Sequence, residues 1–136
     1  MASSFLTPLR LEFEDDSRFQ LIEPFEFRSD RLMAVFKVPV GFITDFASVP
    51  RLLWNVLPPT GKYGKAAVIH DYLYQTRGLS SLPGRALVSR ADADNVLMEG
   101  MTVLGVRWSQ RWAVYSGIRL GGWAAWNRYR RELGDG

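Results

Sequence analysis

The hydrophobic pattern of this chain changes period once, and that change limits its fold more than any other feature. Up to about residue 48 apolar side chains recur at every second position; beyond it they recur at helical spacing. Leu9, Leu11 and Phe13 alternate with Arg10, Glu12 and Glu14. Phe19, Leu21, Phe25 and Phe27 share one face of the next run, with Glu23 interrupting it. Period two with aromatic side chains predicts half-buried strands. Asp15-Asp16-Ser17 and Arg28-Ser29-Asp30-Arg31 supply turns, and a third strand runs from Leu32 to Val38, so the expectation is a small antiparallel meander. Pro24 has no N–H to donate and predicts an edge position or a bulge.

The junction, Pro39 to Arg51, is too apolar for a loose linker, and its polar groups are Thr44, Asp45 and Ser48. Asp45 or Ser48 is placed to cap a short apolar segment from Pro50 to Leu57, with Pro50 in its first turn. The alternative for both residues is a catalytic role.

Helical signals follow. Pro58-Pro59-Thr60-Gly61 marks a loop, Ala66 and Ala67 favour helix, and Gly78 offers a stop. On that helix His70 and Tyr74 stack one turn apart, and Asp71 is rotated by about 100° from His70. His70 borders the apolar stripe of Ala66, Ile69 and Leu73, where a group is anchored in the core and still reaches a cleft. Ser89-Arg90-Ala91-Asp92 fits a capping box, with Asp92 at the third helical position. Asp94 differs, because it lines up with Leu97, Met98 and Met101 on the apolar stripe. A buried carboxylate needs a partner. Asp92 therefore reads as structural and Asp94 as a residue facing the site. A last helix, about Trp108 to Arg131, carries Trp112, Tyr115, Trp126 and Tyr129 on one stripe, with Arg119 among them. The fold class is α+β: a small N-terminal antiparallel sheet packed against a C-terminal helical region of about three helices. The 136 residues form a single domain, strand-rich over about 1–48 and helical over about 49–136.

Composition narrows the chemistry. No cysteine is present, which excludes disulfides and thiolate metal sites, and a single histidine argues against the usual zinc sites. Oxygen-ligated calcium or magnesium stays open. The net charge of +3 is carried mostly by arginine, and Arg107, Arg111, Arg119, Arg128, Arg130 and Arg131 lie late in the chain. We read them as a solvated helix face and expect no nucleic-acid partner. We expect no signal peptide, since Met1-Ala2-Ser3-Ser4-Phe5 has neither a basic nor an apolar signal region, and the apolar stretch Ala113 to Trp126 is too short to span a bilayer.

His70, Asp71, Tyr74 and Asp94 are the candidate site. A histidine with a carboxylate partner activates water, and a second carboxylate beside it can hold a divalent cation. Asp94 would orient His70, Tyr74 would bond Asp94, and Asp71 would hold the metal, with backbone carbonyls at Gly61 and Gly64 able to approach. The opposing reading makes the same cluster a buried polar network.

Two resemblances bear on this choice. Gly41-Phe42-Ile43-Thr44-Asp45-Phe46-Ala47-Ser48-Val49-Pro50-Arg51, Pro58-Pro59-Thr60-Gly61, His70-Asp71-Tyr72-Leu73-Tyr74 and Ser89-Arg90-Ala91-Asp92-Ala93-Asp94 together resemble domain-of-unknown-function family 1353 of phages and prophages, from about Leu9 to about Gly122. That resemblance implies a phage or prophage origin. With it come a virion or host-cytoplasm location, other virion proteins as partners, and a structural or assembly role such as one in the tail. Locally, His70-Asp71 with Tyr74 is similar to the helix motif of phospholipase A2 enzymes. That similarity implies water activation by His70, calcium on Asp71, support of His70 by Asp94, and a lipid or membrane substrate.

Overall fold

The structure is a computed structural model that describes residues 2–15, 18–46, 48–53, 64–78 and 87–132. The period-two segment forms six short strands: β1 (Ser4–Phe5), β2 (Leu11–Phe13), β3 (Phe19–Leu21), β4 (Phe25–Ser29), β5 (Ala34–Val38) and β6 (Ile43–Thr44). They form two three-stranded antiparallel sheets, ordered β1-β4-β5 and β2-β3-β6, in place of one meander. The run expected as one strand, Phe19 to Phe27, is cut at Ile22-Glu23-Pro24, and its halves join different sheets. Pro24 sits at this switch, where a missing N–H costs no ladder bond. In the first sheet Phe25 lies opposite Val38, and Phe27 opposite Phe36. All four side chains are buried, so cross-strand aromatic and aliphatic pairs face the core. In the second, β6 pairs with β3 through Phe19↔Thr44 and Gln20↔Ile43. The end of the strand segment is thereby carried against the helices. Of the Asp15–Ser17 turn, residues 16 and 17 lie outside the described residues.

The helices are α1 (Gly64–Thr76), α2 (Arg90–Val103), α3 (Trp108–Gly121) and α4 (Trp123–Glu132). α1 packs against α2, α4, β5 and β6. It is buried on all sides from Ala66 to Tyr74. A helix enclosed in this way loses its polar face. His70 and Asp71 therefore lie inside the core, and His70 does not sit on a border. α2 approaches α1 closely at Gly100, where a Cβ would stand 3.1 Å from the Ala66 Cβ. The single long helix expected from Trp108 to Arg131 is two, interrupted at Gly122. That glycine has ordinary right-handed angles, so space and not conformation is what it provides. A Cβ there would lie 2.5 Å from the Tyr74 hydroxyl. Trp112, expected on a core stripe, is 47% exposed, whereas Tyr129 is buried.

A buried Ser–His–Asp–Tyr network

α1 supplies His70, Asp71, Tyr74 and Gln75, and three other segments bring their partners. The first is the junction after β6. Phe46 has φ 59°, a left-handed conformation rare for a bulky residue. Its N–H donates to Thr44 Oγ1 at 3.0 Å, and its ring is buried against Phe19. This reversal turns both Thr44 and Ser48 toward α1. Ser48 Oγ lies 3.0 Å from His70 Nδ1. The expectation of a Ser48 cap on the following segment is therefore corrected: its side chain is committed to the histidine. The segment itself is a 3₁₀ turn at Arg51–Leu53, and residues 54–57 lie outside those described.

The second segment is α2. Its capping box is formed by Ser89 and Asp92, each side chain bonded to the other's backbone N–H. Two residues after Asp92, Asp94 points inward. His70 Nε2 lies 2.8 Å from Asp94 Oδ1, and the Tyr74 hydroxyl donates to the same oxygen at 2.6 Å. Asp94 Oδ2 accepts from Arg119 at 2.6 Å and from Arg90 at 3.4 Å. Arg119, from α3, is the third contribution. A carboxylate has about four lone-pair sites, and all four are used. Because an ionised carboxylate only accepts, His70 Nε2 carries its proton, and in the neutral ring Nδ1 accepts the Ser48 O–H.

Asp71 is on the other side of α1. Thr44 Oγ1 donates to its Oδ2 at 2.6 Å and Gln75 Nε2 at 2.8 Å, while the Ser48 N–H reaches Oδ1 at 3.3 Å. Ser48, His70, Asp71, Tyr74 and Asp94 are all 0% exposed, and Thr44 is 1% exposed.

The two carboxylates differ electrostatically. Burial would raise Asp94, but the bonds from His70, Tyr74 and Arg119 outweigh it and hold the group below the usual carboxylate range. Asp71 has no cation among these donors. Burial pushes it up, Asp45's charge adds to this, and the bonds from Thr44, Ser48 and Gln75 offset only part. Burial and the Asp94 charge push the Tyr74 phenol far above its ordinary value, so it remains a donor.

Sequence reasoning placed His70, Tyr74 and Asp94 as candidates, and they meet. It missed Ser48 as their partner, along with Thr44, Gln75 and Arg90. Two of these carried a local signal: Gln75 is four residues after Asp71 and Arg90 four before Asp94, the spacing of same-face helical pairs. As a metal ligand, Asp71 would need its present partners to turn. A hydroxyl, a backbone N–H and a side-chain amide N–H aim donors at it, where a cation needs acceptors. Among the described residues no cluster of three or more histidine or acidic side chains is poised to hold a metal. Gly61 lies outside the described residues, and Gly64 opens α1.

Chemically, Ser48, His70 and Asp94 form a hydrogen-bonded line of the kind that activates a hydroxyl, with serine on Nδ1 and carboxylate on Nε2. Substrate would need to reach Ser48 Oγ, and that atom's residue is sealed.

Fold and site together define an α+β protein in which a buried Ser–His–Asp–Tyr network ties a strand segment to two helices. The chain belongs to the family described as Protein of unknown function (DUF1353), whose model matches residues 19–118. It is also similar to the Uncharacterized protein y4jT of Sinorhizobium fredii (strain NBRC 101917 / NGR234), with 39% identity over 61 residues. That match covers 43% of this chain and 18% of the relative, so the chain spans less than a fifth of that protein. No solved structure matches the chain. Among the described residues no helix is long and apolar enough to cross a membrane.

Proposed function

We propose that the chain is a phage- or prophage-encoded structural or assembly component, of the virion tail or its assembly, that acts by presenting a rigid surface to other virion proteins. The observation that carries this reading is complete burial with complete satisfaction. Ser48, His70, Tyr74 and Asp94 are sealed, and Asp94 has all its acceptor sites filled. Such a network rigidifies a core and fixes one packing of its elements. The phage setting rests on the motif resemblance of Gly41–Arg51, His70–Tyr74 and Ser89–Asp94. On this reading the protein works in the virion or the host cytoplasm, with other virion proteins as partners. The test is mass spectrometry of purified particles from a lysogen carrying the gene. The expected result is the protein at stoichiometric level, or in assembly intermediates; absence from both would overturn the reading.

A second reading is favoured by one distance, the 3.0 Å from Ser48 Oγ to His70 Nδ1. In it the chain is a hydrolase in which His70, held by Asp94 and Tyr74, activates a hydroxyl or water. The phospholipase-like form adds calcium at Asp71 and a lipid ester as substrate. It requires Gln75 to turn its amide so that oxygen faces the ion. Its test is fatty-acid release from mixed phospholipid vesicles with and without calcium. Turnover lost in both His70→Gln and Ser48→Ala supports it, and no turnover in the wild type eliminates it.

A further inference from the structure

One side of α3 is in the core through Val114 and Ile118, and the other faces solvent. On the solvent side Trp108, Trp112 and Trp123 are 68%, 47% and 57% exposed, and Leu120 is 80% exposed. Gly122 keeps helical angles, its N–H bonds Ile118 O, and its carbonyl accepts from the Trp126 N–H. The helical path therefore runs on from α3 into α4. Along that path Trp108, Trp112, Arg119 and Trp123 fall within about 60° of one another, on a stripe roughly 22 Å long. Small exposed residues, Ser109, Ala113 and Ser116, lie beside the rings. Tryptophan is highly buried on average, so three exposed in a row mark an interaction surface. From 100 to 131 the chain has six arginines and no acidic residue. Asp94 offsets Arg119, and Glu132 lies 3.8 Å from Arg128. Exposed Arg107 precedes the first tryptophan of the stripe, and exposed Arg131 follows the last by roughly two turns.

We propose that this face docks on an anionic phospholipid surface, with α3 lying along the membrane and the three indoles at headgroup depth. An indole joins an apolar body to one N–H donor, the combination that suits a bilayer interface. Leu120 adds hydrocarbon that an acyl layer can bury, and the arginines at both ends of the stripe are complementary to anionic headgroups. A ridge of rings meets a flat, deformable layer without needing a matching groove. A second copy docked through the same face would bring no acid to these arginines, because 100–131 has none. A nucleic acid would offer Leu120 no hydrocarbon. The inference rests on this face alone and is independent of whether His70 has a catalytic role or the chain is a virion component.

The test is co-sedimentation of the full chain with vesicles of phosphatidylglycerol mixed with phosphatidylcholine, and with vesicles of phosphatidylcholine alone. Quenching of tryptophan fluorescence by brominated lipid reads the depth of the indoles. Each variant is used where circular dichroism shows it folded. Binding to the anionic vesicles is expected, weaker to phosphatidylcholine alone and weaker as salt rises. Trp108→Ser and Trp123→Ser should each weaken it about tenfold, the loss of one buried aromatic side chain. Arg107→Gln combined with Arg131→Gln should weaken it by about tenfold and flatten the salt dependence. Phe13→Ser removes an equally exposed ring, 74% accessible on β2, and should change nothing. No binding to anionic vesicles, or equal weakening by Phe13→Ser, would overturn the proposal. So would self-association that the Trp108→Ser and Trp123→Ser variants lose, or equal binding to polyglutamate or to an oligonucleotide.

Discussion

Asp94→Ala strips the acceptor from two donors that have no access to water, His70 Nε2–H and the Tyr74 hydroxyl. Leaving a buried donor unsatisfied costs roughly 1–3 kcal/mol. The two guanidinium bonds count for less, because the side chains of Arg90 and Arg119 are 20% and 34% exposed and water can replace the carboxylate. The expected loss is about 3–5 kcal/mol, a large share of the about 5–15 kcal/mol that holds a domain together. Asp94→Asn should be milder by at least about 1 kcal/mol. It can keep its oxygen toward His70 and Tyr74 and put its amide on the more exposed arginine side. The cycle of Asp94→Ala with Tyr74→Phe sharpens the argument. Removing the hydroxyl in the wild type breaks a bond, whereas in Asp94→Ala it deletes a stranded donor, so the two losses should be less than additive. Urea unfolding followed by circular dichroism gives all four values. An Asp94→Ala loss under about 1 kcal/mol at unchanged m, with additive behaviour in the cycle, would refute the claim that Asp94 is the acceptor around which the network is built.

The remaining predictions use other parts of the structure. Gly122→Ala should cost about 1–3 kcal/mol, because its Cβ would press on the Tyr74 hydroxyl and Ile118 O. Gly121→Ala, whose Cβ would meet Pro50 at 3.9 Å, should be neutral or gain up to about 1 kcal/mol in the same melts. Ser48→Ala should cost about 1–2 kcal/mol by removing the partner of His70 Nδ1, and a wild-type Tm would count against that bond. Asp71 is raised in the folded state, so its contribution is greatest below the unfolded carboxyl pKa of about 3.9 and is lost as pH rises through its folded value. Asp94 is lowered, so its contribution is present above that unfolded value and is lost as pH falls through the depressed one. The stability difference between wild type and Asp71→Asn, measured in urea from acid to neutral pH, should therefore move against the wild type as pH rises; a flat difference would contradict the raised Asp71.

Much of the site was legible because helical spacing is a local property. Asp92 and Asp94 are two residues apart, yet one shares a face with Asn95 and Glu99 and the other with Leu97 and Met101, and the fold keeps them apart in that way. The two-sheet topology was not legible, since strand partners are chosen by long-range burial. Phe25 and Phe27 go with Phe36 and Val38, leaving Phe19 and Leu21 to Leu11 and Phe13. Ser48 was missed for a related reason. Its approach to His70 depends on the left-handed Phe46 backbone, which tertiary contacts impose and no propensity announces. The break at Gly122 was hidden because each half of α3–α4 continues a plausible aromatic stripe.

α1 carries adjacent carboxylate and imidazole groups into a core where neither has solvent, and the fold treats its two carboxylate sites in opposite ways. Asp94 is surrounded by a histidine, a phenol and two guanidiniums, so its charge is retained. Asp71 is surrounded by a hydroxyl and amides, so its charge is resisted. The same reversal at Phe46 serves both, through Ser48 Oγ on His70 and Ser48 N–H with Thr44 Oγ1 on Asp71. Moving that reversal would disturb both at once. Phe46→Gly, which relieves the left-handed strain but removes the buried ring, separates the causes. The strain returned is about 1–2 kcal/mol, whereas truncating a buried phenylalanine costs about 3–5 kcal/mol. A net loss of roughly 2 kcal/mol in urea unfolding is therefore expected. A net gain would mean that backbone strain, and not packing on Phe19, decides where Ser48 stands.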